Sequence, residues 1–127
     1  MKRQFQKHYT REEARALLPE IRRWLARISQ LRQTLEKSEK RINGLRADGG
    51  DIGGSAVNLW VRMQVELLGV VGEFRRREIQ IKDLDRGLID FPALRGGKEI
   101  FLCWEEGEED IEFWHDLDTG YAGREKL

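Results

Sequence analysis

The chain has one cysteine and no long apolar run, and each shortage excludes a class of protein. Cys103 alone cannot close a disulfide within the chain or build a cysteine-rich zinc site. No stretch approaches the ~18 consecutive apolar residues of a membrane-spanning helix. The basic residues near Met1 have no apolar segment behind them, so we expect no secretory signal peptide. The sequence therefore predicts a soluble, cytoplasmic protein.

The formal net charge is zero, but the charges are segregated along the chain. Residues 1–46 contain 13 Lys or Arg against 5 Asp or Glu, whereas residues 83–127 contain 5 against 13. Such an asymmetry has two interpretations. Either the basic and acidic segments neutralise each other within one fold, or they attract a charged partner or a second copy of the chain.

The first third of the chain has the pattern of a long helix. Thr10 and Glu13 have the spacing of a capping box, which predicts that the helix begins near Arg11. Pro19 should kink or briefly break it, because proline removes a backbone hydrogen bond. Apolar residues then recur at alternating steps of four and three, as in a coiled-coil seam. The seam consists of Leu17, Ile21, Trp24, Ile28, Leu31, Leu35, Ser38, Ile42 and Leu45, with Ser38 as its polar interruption.

A glycine-rich segment, residues 47–55, ends this helix and turns the chain. Residues 11–46 and 55–77 are then predicted to form the two arms of an antiparallel helical hairpin. The second arm has an apolar face that we expect to cover the seam. That face consists of Val57, Trp60, Val61, Leu67, Leu68, Val71 and Phe74.

The apolar period changes from helical to alternating after the second helix, which predicts an antiparallel β-meander over residues 79–116. The first hairpin turns at Asp85-Arg86-Gly87, in a register that places Lys82 opposite Asp90. Residues 117–127 are predicted to be an irregular tail. The expected fold class is α+β: a long antiparallel helical hairpin followed by a small antiparallel β-meander, in a single domain of residues 1–127.

The last hairpin decides whether Cys103 and His115 can act together. A two-residue turn at Gly107-Glu108 places Cys103 opposite Glu112. Cys103 and His115 then point to opposite faces of the sheet, because successive side chains alternate. This register excludes a shared metal site or a Cys/His catalytic pair, and Cys103 is interpreted as a small buried apolar residue.

His115 is the most interesting candidate for chemistry. Imidazole is a common metal ligand and acid–base group near neutral pH, and a neighbouring carboxylate can ligate or orient it. The candidate catalytic residues are His115, Asp83, Asp90 and Arg124, with Arg124 as an anion clamp. The candidate metal ligands are His115 and Asp116. The alternative is a structural histidine that bonds the rim of the sheet to a helix.

Two other features have charged side chains but no specific motif. The acidic cluster at the last hairpin lacks the ligand spacing of a calcium loop, so a solvated edge that resists aggregation explains it better. It consists of Glu105, Glu106, Glu108, Glu109, Asp110 and Glu112. The basic first helix has no nucleic-acid recognition motif beside it. No glycine-rich phosphate loop is present, and the sequence indicates no cofactor.

Four short segments resemble the signature of a known family. They are residues 82–92, Leu102-Cys103-Trp104 with Gly107-Glu108, Phe113-Trp114-His115, and residues 120–124. Glu13-Ala14 and Leu17-Leu18-Pro19 also match. The family is an uncharacterised prokaryotic one, domain of unknown function two-two-zero-three, and the resemblance covers nearly the whole chain. It implies a small bacterial protein without an established activity, so no catalytic residue is transferred from it.

Three hypotheses of function follow from the sequence. The first is a non-enzymatic protein-interaction module whose helical hairpin self-associates as a homodimer, because the seam is longer than one short domain would cover. The second is a small metal-dependent or acid–base enzyme that uses the rim of the β-meander. The third is weak nucleic-acid binding by the basic first helix. Whether the protein is an enzyme stays open at this point.

Overall fold

A computed structural model describes residues 2–47, 49 and 54–127. The helices are α1 (Arg11–Ala47) and α2 (Ser55–Arg76). The strands are β1 (Gln80–Asp83), β2 (Leu88–Arg95), β3 (Lys98–Glu105), β4 (Phe113–Asp116) and β5 (Glu125–Lys126). They form one antiparallel sheet in the order β1-β2-β3-β4-β5, which confirms the α+β class with a helical hairpin and a meander. Most of the glycine-rich turn predicted over residues 47–55 lies outside the described residues.

The chain divides into two compact units. The first unit consists of Met1–Arg23 and Phe74–Leu127, and it contains the start of α1 and the whole sheet. The second unit is Trp24–Glu73, which contains the rest of α1 and most of α2. The assignment of residues 1–127 to a single domain stays a prediction. In the described part of the chain, neither helix is both long enough and apolar enough to cross a membrane.

The start of α1 confirms the capping box. Thr10 Oγ1 accepts a hydrogen bond from the Glu13 N–H at 3.1 Å, and Glu13 Oε1 accepts one from the Thr10 N–H at 2.9 Å. The expected break at Pro19 is wrong, because α1 continues through it as one helix of 37 residues. Pro19 and Arg15 are both exposed, so water can hydrate the carbonyl that proline leaves without a partner.

The predicted seam is the buried side of α1. Ile21, Ile28, Leu31 and Leu35 are buried, and the other seam positions are half-buried. Within the second unit, Arg27 Nη2 lies 2.6 Å from Glu66 Oε1, and Trp60 Nε1 donates to Glu39 Oε1 at 3.4 Å. Earlier residues of α1 therefore meet later residues of α2, as an antiparallel hairpin requires.

The predicted covering face of α2 is wrong at two positions. Val61 is 45% exposed and Leu68 is 68% exposed, whereas Trp60 and Leu67 are half-buried. Each helical residue turns the side chain by about 100°, so Val61 and Leu68 lie beyond the edge of the covering face. Val65, which is 64% exposed, lies between them. We call Val61, Val65 and Leu68 the outer stripe of α2.

The sheet of the first unit presents one face to the start of α1. Trp104 belongs to this face, and the Arg22 guanidinium lies 5.6 Å from the centroid of its ring. Arg11 Nε donates to the Ile111 carbonyl at 2.7 Å, and Arg15 Nε donates to Asp110 Oδ1 at 2.7 Å. These contacts anchor the first turns of α1 to the loop that follows β3. The other face of the sheet carries the candidate site.

The register between β3 and β4 differs by one residue from the predicted one. Cys103 pairs with Phe113 rather than with Glu112, and Phe101 pairs with His115. The predicted two-residue turn is wrong, because residues 106–112 form a longer connection that begins with a turn closed by the Glu108 N–H and the Glu105 carbonyl. A shift of one residue turns every side chain to the other face. Cys103 and His115 therefore lie on the same face of the sheet.

The register between β1 and β2 also corrects the prediction. Asp90 pairs with Gln80 rather than with Lys82, because a bulge between Ile81 and Asp83 takes Lys82 out of step. Asp83 Oδ1 then accepts a hydrogen bond from the Arg86 N–H at 3.2 Å and stabilises the turn.

The tail predicted to be irregular is partly ordered into the sheet. Residues Tyr121–Gly123 form a 3-10 turn, and β5 pairs with β4 through Phe113↔Lys126 and Trp114↔Glu125. This added strand brings Arg124 beside β4. The pairing of β5 could not be expected from only two residues of extended chain.

The segment before α1 is bound to the sheet by hydrogen bonds across the chain. The Glu99 carboxylate accepts bonds from the N–H groups of Gln4 and Phe5 at 2.7 and 3.0 Å. The Tyr9 N–H donates to the Pro92 carbonyl at 2.7 Å. The first and last parts of the chain therefore complete the first unit together.

Candidate functional site

Three chemically active side chains from three adjacent strands meet on one face of the sheet. Asp90 of β2 lies directly opposite Cys103 of β3, and His115 of β4 lies diagonal to Cys103. One carboxylate oxygen, the Cys103 Sγ and one imidazole nitrogen all lie within 4.8 Å of one another. The exposed fractions are 1% for Asp90, 0% for Cys103 and 1% for His115. We call these three residues the buried cluster.

The hydrogen bonds of His115 determine where its protons are. Its Nδ1 lies 2.6 Å from the Asp116 carbonyl oxygen, which can only accept, so Nδ1 carries a hydrogen. Its Nε2 lies 2.9 Å from Asp90 Oδ2. That contact also needs a proton, because two bare lone pairs would repel each other. Asp90 and His115 therefore share one proton, and the pair is neutral overall whichever atom holds it.

Burial raises the pKa values of both acidic groups of the cluster, Asp90 and Cys103. Burial raises the pKa of Asp90, while the charge and hydrogen bond of His115 act in the opposite direction. Burial, followed by the charge of Asp90, raises the pKa of the Cys103 thiol to about 12. Cys103 is therefore a thiol near neutral pH and not a nucleophilic thiolate.

One atom of the buried cluster has no hydrogen-bond partner. Asp90 Oδ1 is fully buried and, among the described residues, nothing donates to it. An unsatisfied buried acceptor costs about 1–3 kcal/mol. Asp90 and His115 also line a cavity of about 270 Å³, whose other polar residues include Lys82 and Asp118. The cluster therefore has a hydrogen-bond acceptor without a donor, Asp90 Oδ1, beside a cavity with room for a small ligand.

Arg124 lies beside the cluster, on the side of Cys103. Its guanidinium makes a bidentate ion pair with Glu108, at 3.2 and 2.9 Å, and Nη1 lies 3.9 Å from Cys103 Sγ. It also stacks on Phe113, 3.8 Å from the ring centroid. The two guanidinium N–H groups of Arg124 that would bind an anion are thus already bonded to the Glu108 carboxylate.

The structure brings together only some of the residues predicted to act. His115 and Asp90 meet, whereas Asp83 belongs to the turn after β1. The Asp116 side chain turns away to Lys98 Nζ at 3.0 Å, and only its carbonyl contacts His115. Cys103 joins the site against the prediction.

The predicted register contains a sign against itself, although that sign does not identify the register that replaces it. It places Glu106 directly opposite Glu109, and like charges in that position destabilise an antiparallel pair. Shifting the pairing by one residue removes that contact but places Glu106 opposite Asp110, so the charges alone do not select the register of the structure. The same shift places Cys103 on the face of His115.

The acidic cluster of the last hairpin is neutralised within the first unit. Asp110 binds Arg15 through two hydrogen bonds of 2.7 and 3.0 Å, and the bond from Arg15 holds the pKa of Asp110 below its usual value. Glu105 pairs with Arg86 at 3.1 Å. Of these contacts the Arg15–Asp110 pair joins the basic first segment to the acidic last one, whereas Arg86 and Arg124, the partner of Glu108, belong to the acidic segment itself.

A helical hairpin, a five-stranded meander and a buried Asp–Cys–His cluster define a small α+β protein with one unusual polar centre. The chain belongs to the family described as Uncharacterized conserved protein (DUF2203), whose model matches residues 7–127. This confirms the resemblance noted in the sequence. Comparisons with curated proteins and with solved structures returned no match. The family description assigns no activity, so function is argued from the geometry.

Proposed function

We propose that the protein is a non-enzymatic interaction module of the bacterial cytoplasm that self-associates as a homodimer through α2. The observation that carries this proposal is the outer stripe, where Val65 and Leu68 are each about two-thirds exposed. An isolated exposed apolar residue needs no explanation, but a row of them on one helix is typical of an interface.

The spacing of the outer stripe suits a second copy of the same helix. Val61, Val65 and Leu68 are separated by four and then three residues, which is the spacing of a helix–helix seam. An antiparallel pair with its two-fold axis near Val65 places Val61 beside Leu68 of the second copy. The same pairing brings Arg62 close to Glu66 of the second copy, twice by symmetry.

The size of the stripe predicts a dimer that depends on concentration. Complete burial of a Val or Leu side chain contributes roughly 1.5–3 kcal/mol, and six partly exposed side chains contribute on the order of 8 kcal/mol. Association itself costs about 4–15 kcal/mol in lost freedom. The net gain is then at most about 4 kcal/mol, so we expect a weak dimer that forms near millimolar concentrations rather than a permanent one.

The seam of α1 and the segregated charges, which favour self-association in the sequence, are both satisfied inside a single chain. The seam of α1 is buried or half-buried, and the acidic segment pairs with basic residues of the same unit. Neither feature therefore needs a second copy. The support for a dimer comes from the outer stripe alone.

Light scattering coupled to size-exclusion chromatography tests the dimer. We expect a mass that rises towards that of two chains as the concentration approaches the millimolar range, and a monomer for Val65→Glu. Gln33→Glu is the matched control, because it adds the same charge at an exposed position of α1 outside the stripe. A wild-type protein that stays monomeric throughout, or a dimer that Val65→Glu leaves intact, would overturn the proposal.

A second candidate function is favoured by the buried cluster: a small enzyme that works at the rim of the meander. Its support is Asp90 Oδ1, an unsatisfied acceptor in a residue that lines a cavity. The proton shared by Asp90 and His115 is the group such an enzyme would transfer. A turnover screen with wild-type protein and Asp90→Asn tests it, and equal activity of the two proteins would contradict it.

Nucleic-acid binding by the basic first helix is the weakest of the three candidates. Arg11 and Arg15 of α1 already contact Asp110, and Arg22 donates to the Glu108 carbonyl. Any electrostatic binding of nucleic acid by the remaining basic residues must weaken as salt rises, because binding releases counterions from the nucleic acid and that release is less favourable at high salt. Binding that is flat from low to physiological salt would contradict this third candidate.

A further inference from the structure

We infer that Asp90, Cys103 and His115 bind one divalent transition-metal ion of the zinc class, with the remaining coordination position open to the adjoining cavity. The inference deepens the second candidate function by naming the ligand of the same site. It does not depend on self-association.

The distances within the buried cluster are close to those of a coordinated ion. Zinc lies about 2.3 Å from a cysteine sulfur and about 2.0–2.2 Å from a histidine nitrogen or a carboxylate oxygen. In a tetrahedral site these bonds separate the ligand atoms by roughly 3.3–3.6 Å. The three candidate atoms already lie within 4.8 Å of one another, and Nε2 and Oδ2 must move apart only slightly from 2.9 Å. Rotations of the three side chains on a fixed sheet are sufficient.

The unsatisfied oxygen is the second, independent sign of a ligand. Asp90 is 1% exposed, and its Oδ1 has no donor among the residues that the structure describes. Buried polar atoms almost always have a partner, so an orphaned one needs an explanation. A metal ion, or a water molecule bound to it, supplies that partner.

The hydrogen bond on the far side of His115 is the one that metal-binding histidines use. Such a histidine usually donates its other ring N–H to a carbonyl or carboxylate, which fixes the ring and its tautomer. His115 Nδ1 donates to the Asp116 carbonyl at 2.6 Å. Its Nε2 is thereby aimed into the cluster, where a metal ion would displace the proton that it shares with Asp90.

Charge balance also allows an ion in this buried place. The cluster without metal holds the proton shared by Asp90 and His115 and the thiol proton of Cys103. A divalent ion that displaces both protons leaves the total charge unchanged, so it adds no net charge to the interior. Of the cations near the cluster, Arg124 is already paired with Glu108 at 2.9 Å, and Lys82 lies over the Phe101 ring, 4.9 Å from its centroid.

The donor set selects the class of metal. One sulfur, one imidazole nitrogen and one carboxylate oxygen favour zinc, cobalt or iron over magnesium or calcium, which prefer oxygen alone. Three protein ligands with an open position are typical of a catalytic rather than a structural zinc site. The cavity of about 270 Å³ provides the space for a water molecule or a small substrate at that position.

Cobalt(II) titration of the full chain, stripped with a chelator and checked for folding by circular dichroism, tests the inference. We expect one cobalt ion per chain, a sulfur-to-cobalt charge-transfer band in the near ultraviolet and intense visible bands of a tetrahedral site. Competition with zinc should remove these bands. Calorimetry in two buffers of different ionisation enthalpy should show the release of about two protons per zinc ion.

Variants separate the cluster from accidental binding elsewhere. Cys103→Ser, which is nearly isosteric, should abolish the charge-transfer band, and Asp90→Asn should weaken zinc binding by more than about 100-fold, beyond the usual effect of an outer partner. His8→Gln is the control, since it removes the other histidine, which contacts Glu99 rather than the cluster. A folded wild-type chain that binds no cobalt, or a Cys103→Ser variant with an unchanged spectrum, would overturn the inference. Light scattering on the same samples reports the dimer separately, so either proposal can fail alone.

Discussion

Removing one member of the Asp90–His115 pair should cost more stability than removing both. His115→Leu removes the hydrogen-bond partner of the buried Asp90 Oδ2, and the loss of one member of a buried pair typically costs about 3–5 kcal/mol. Asp90→Leu leaves only one unpartnered nitrogen on a neutral imidazole, which costs about 1–3 kcal/mol. The double variant replaces both members of the pair by apolar side chains, and we expect it to be within about 1 kcal/mol of wild type, or more stable.

Urea denaturation near neutral pH, followed by tryptophan fluorescence, measures these free energies of unfolding. The two single substitutions and the double one form a cycle, and we expect a coupling energy of at least about 2 kcal/mol. Lys98→Leu is the control for loss of an ion pair at the surface. Lys98 contacts Asp116 at 3.0 Å but is largely exposed, so its loss should cost at most about 1 kcal/mol.

Two results of this cycle would refute the reasoning in different ways. If His115→Leu costs less than about 1 kcal/mol and the substitutions are additive, the two side chains do not share a proton in a buried pair. If the double variant is as unstable as His115→Leu, the pair has a structural role, as the alternative interpretation of His115 supposes. A stable double variant means that stability does not explain the pair, which favours a role in binding.

Three further predictions test other contacts. In the folded protein Cys103 should react with iodoacetamide far more slowly than in urea, because burial and a pKa of about 12 keep it a protected thiol; equal rates would contradict this. Arg15 lowers the pKa of Asp110 in the folded protein, so the ionised pair stabilises the fold above the pKa of 3.8 of an unfolded aspartate, and this stabilisation is lost as pH falls through the lower pKa of the folded state. In denaturation curves the stability advantage of the wild type over Asp110→Asn should therefore shrink below pH 3.8. Gly87→Ala would place the new Cβ 2.6 Å from the Cβ of Glu106, so it should lower the melting temperature more than Gly96→Ala. Gly96 has a similar φ, but a Cβ there meets no atom within 4 Å.

The helices could be predicted because their signals are local. A capping box needs only four residues, and the Thr10–Glu13 bonds form as expected. The periodic apolar residues of α1 identify its buried side without any knowledge of the partner. The break at Pro19 follows from the same local rules and is wrong, because packing on both sides of an exposed proline keeps the helix continuous.

The buried cluster could not be derived from the sequence, because it depends on two strand registers. Asp90 meets Cys103 through the pairing of β2 with β3, and Cys103 lies near His115 through the pairing of β3 with β4. A register depends on the length of the connecting loop, and an error of one residue moves Cys103 to the wrong face. The proton arrangement is further out of reach, since it follows from the Asp116 carbonyl contact.

The bonds between the segment before α1 and the sheet have a consequence for synthesis on the ribosome. Gln4 binds Glu99 and Tyr9 binds Pro92, so each of these residues is translated long before its partner. Residues 24–73 are contiguous and can form their hairpin while the rest is still being translated. The segment before α1 therefore lacks these partners until β2 and β3 have left the exit tunnel, even if the hairpin of residues 24–73 has already formed.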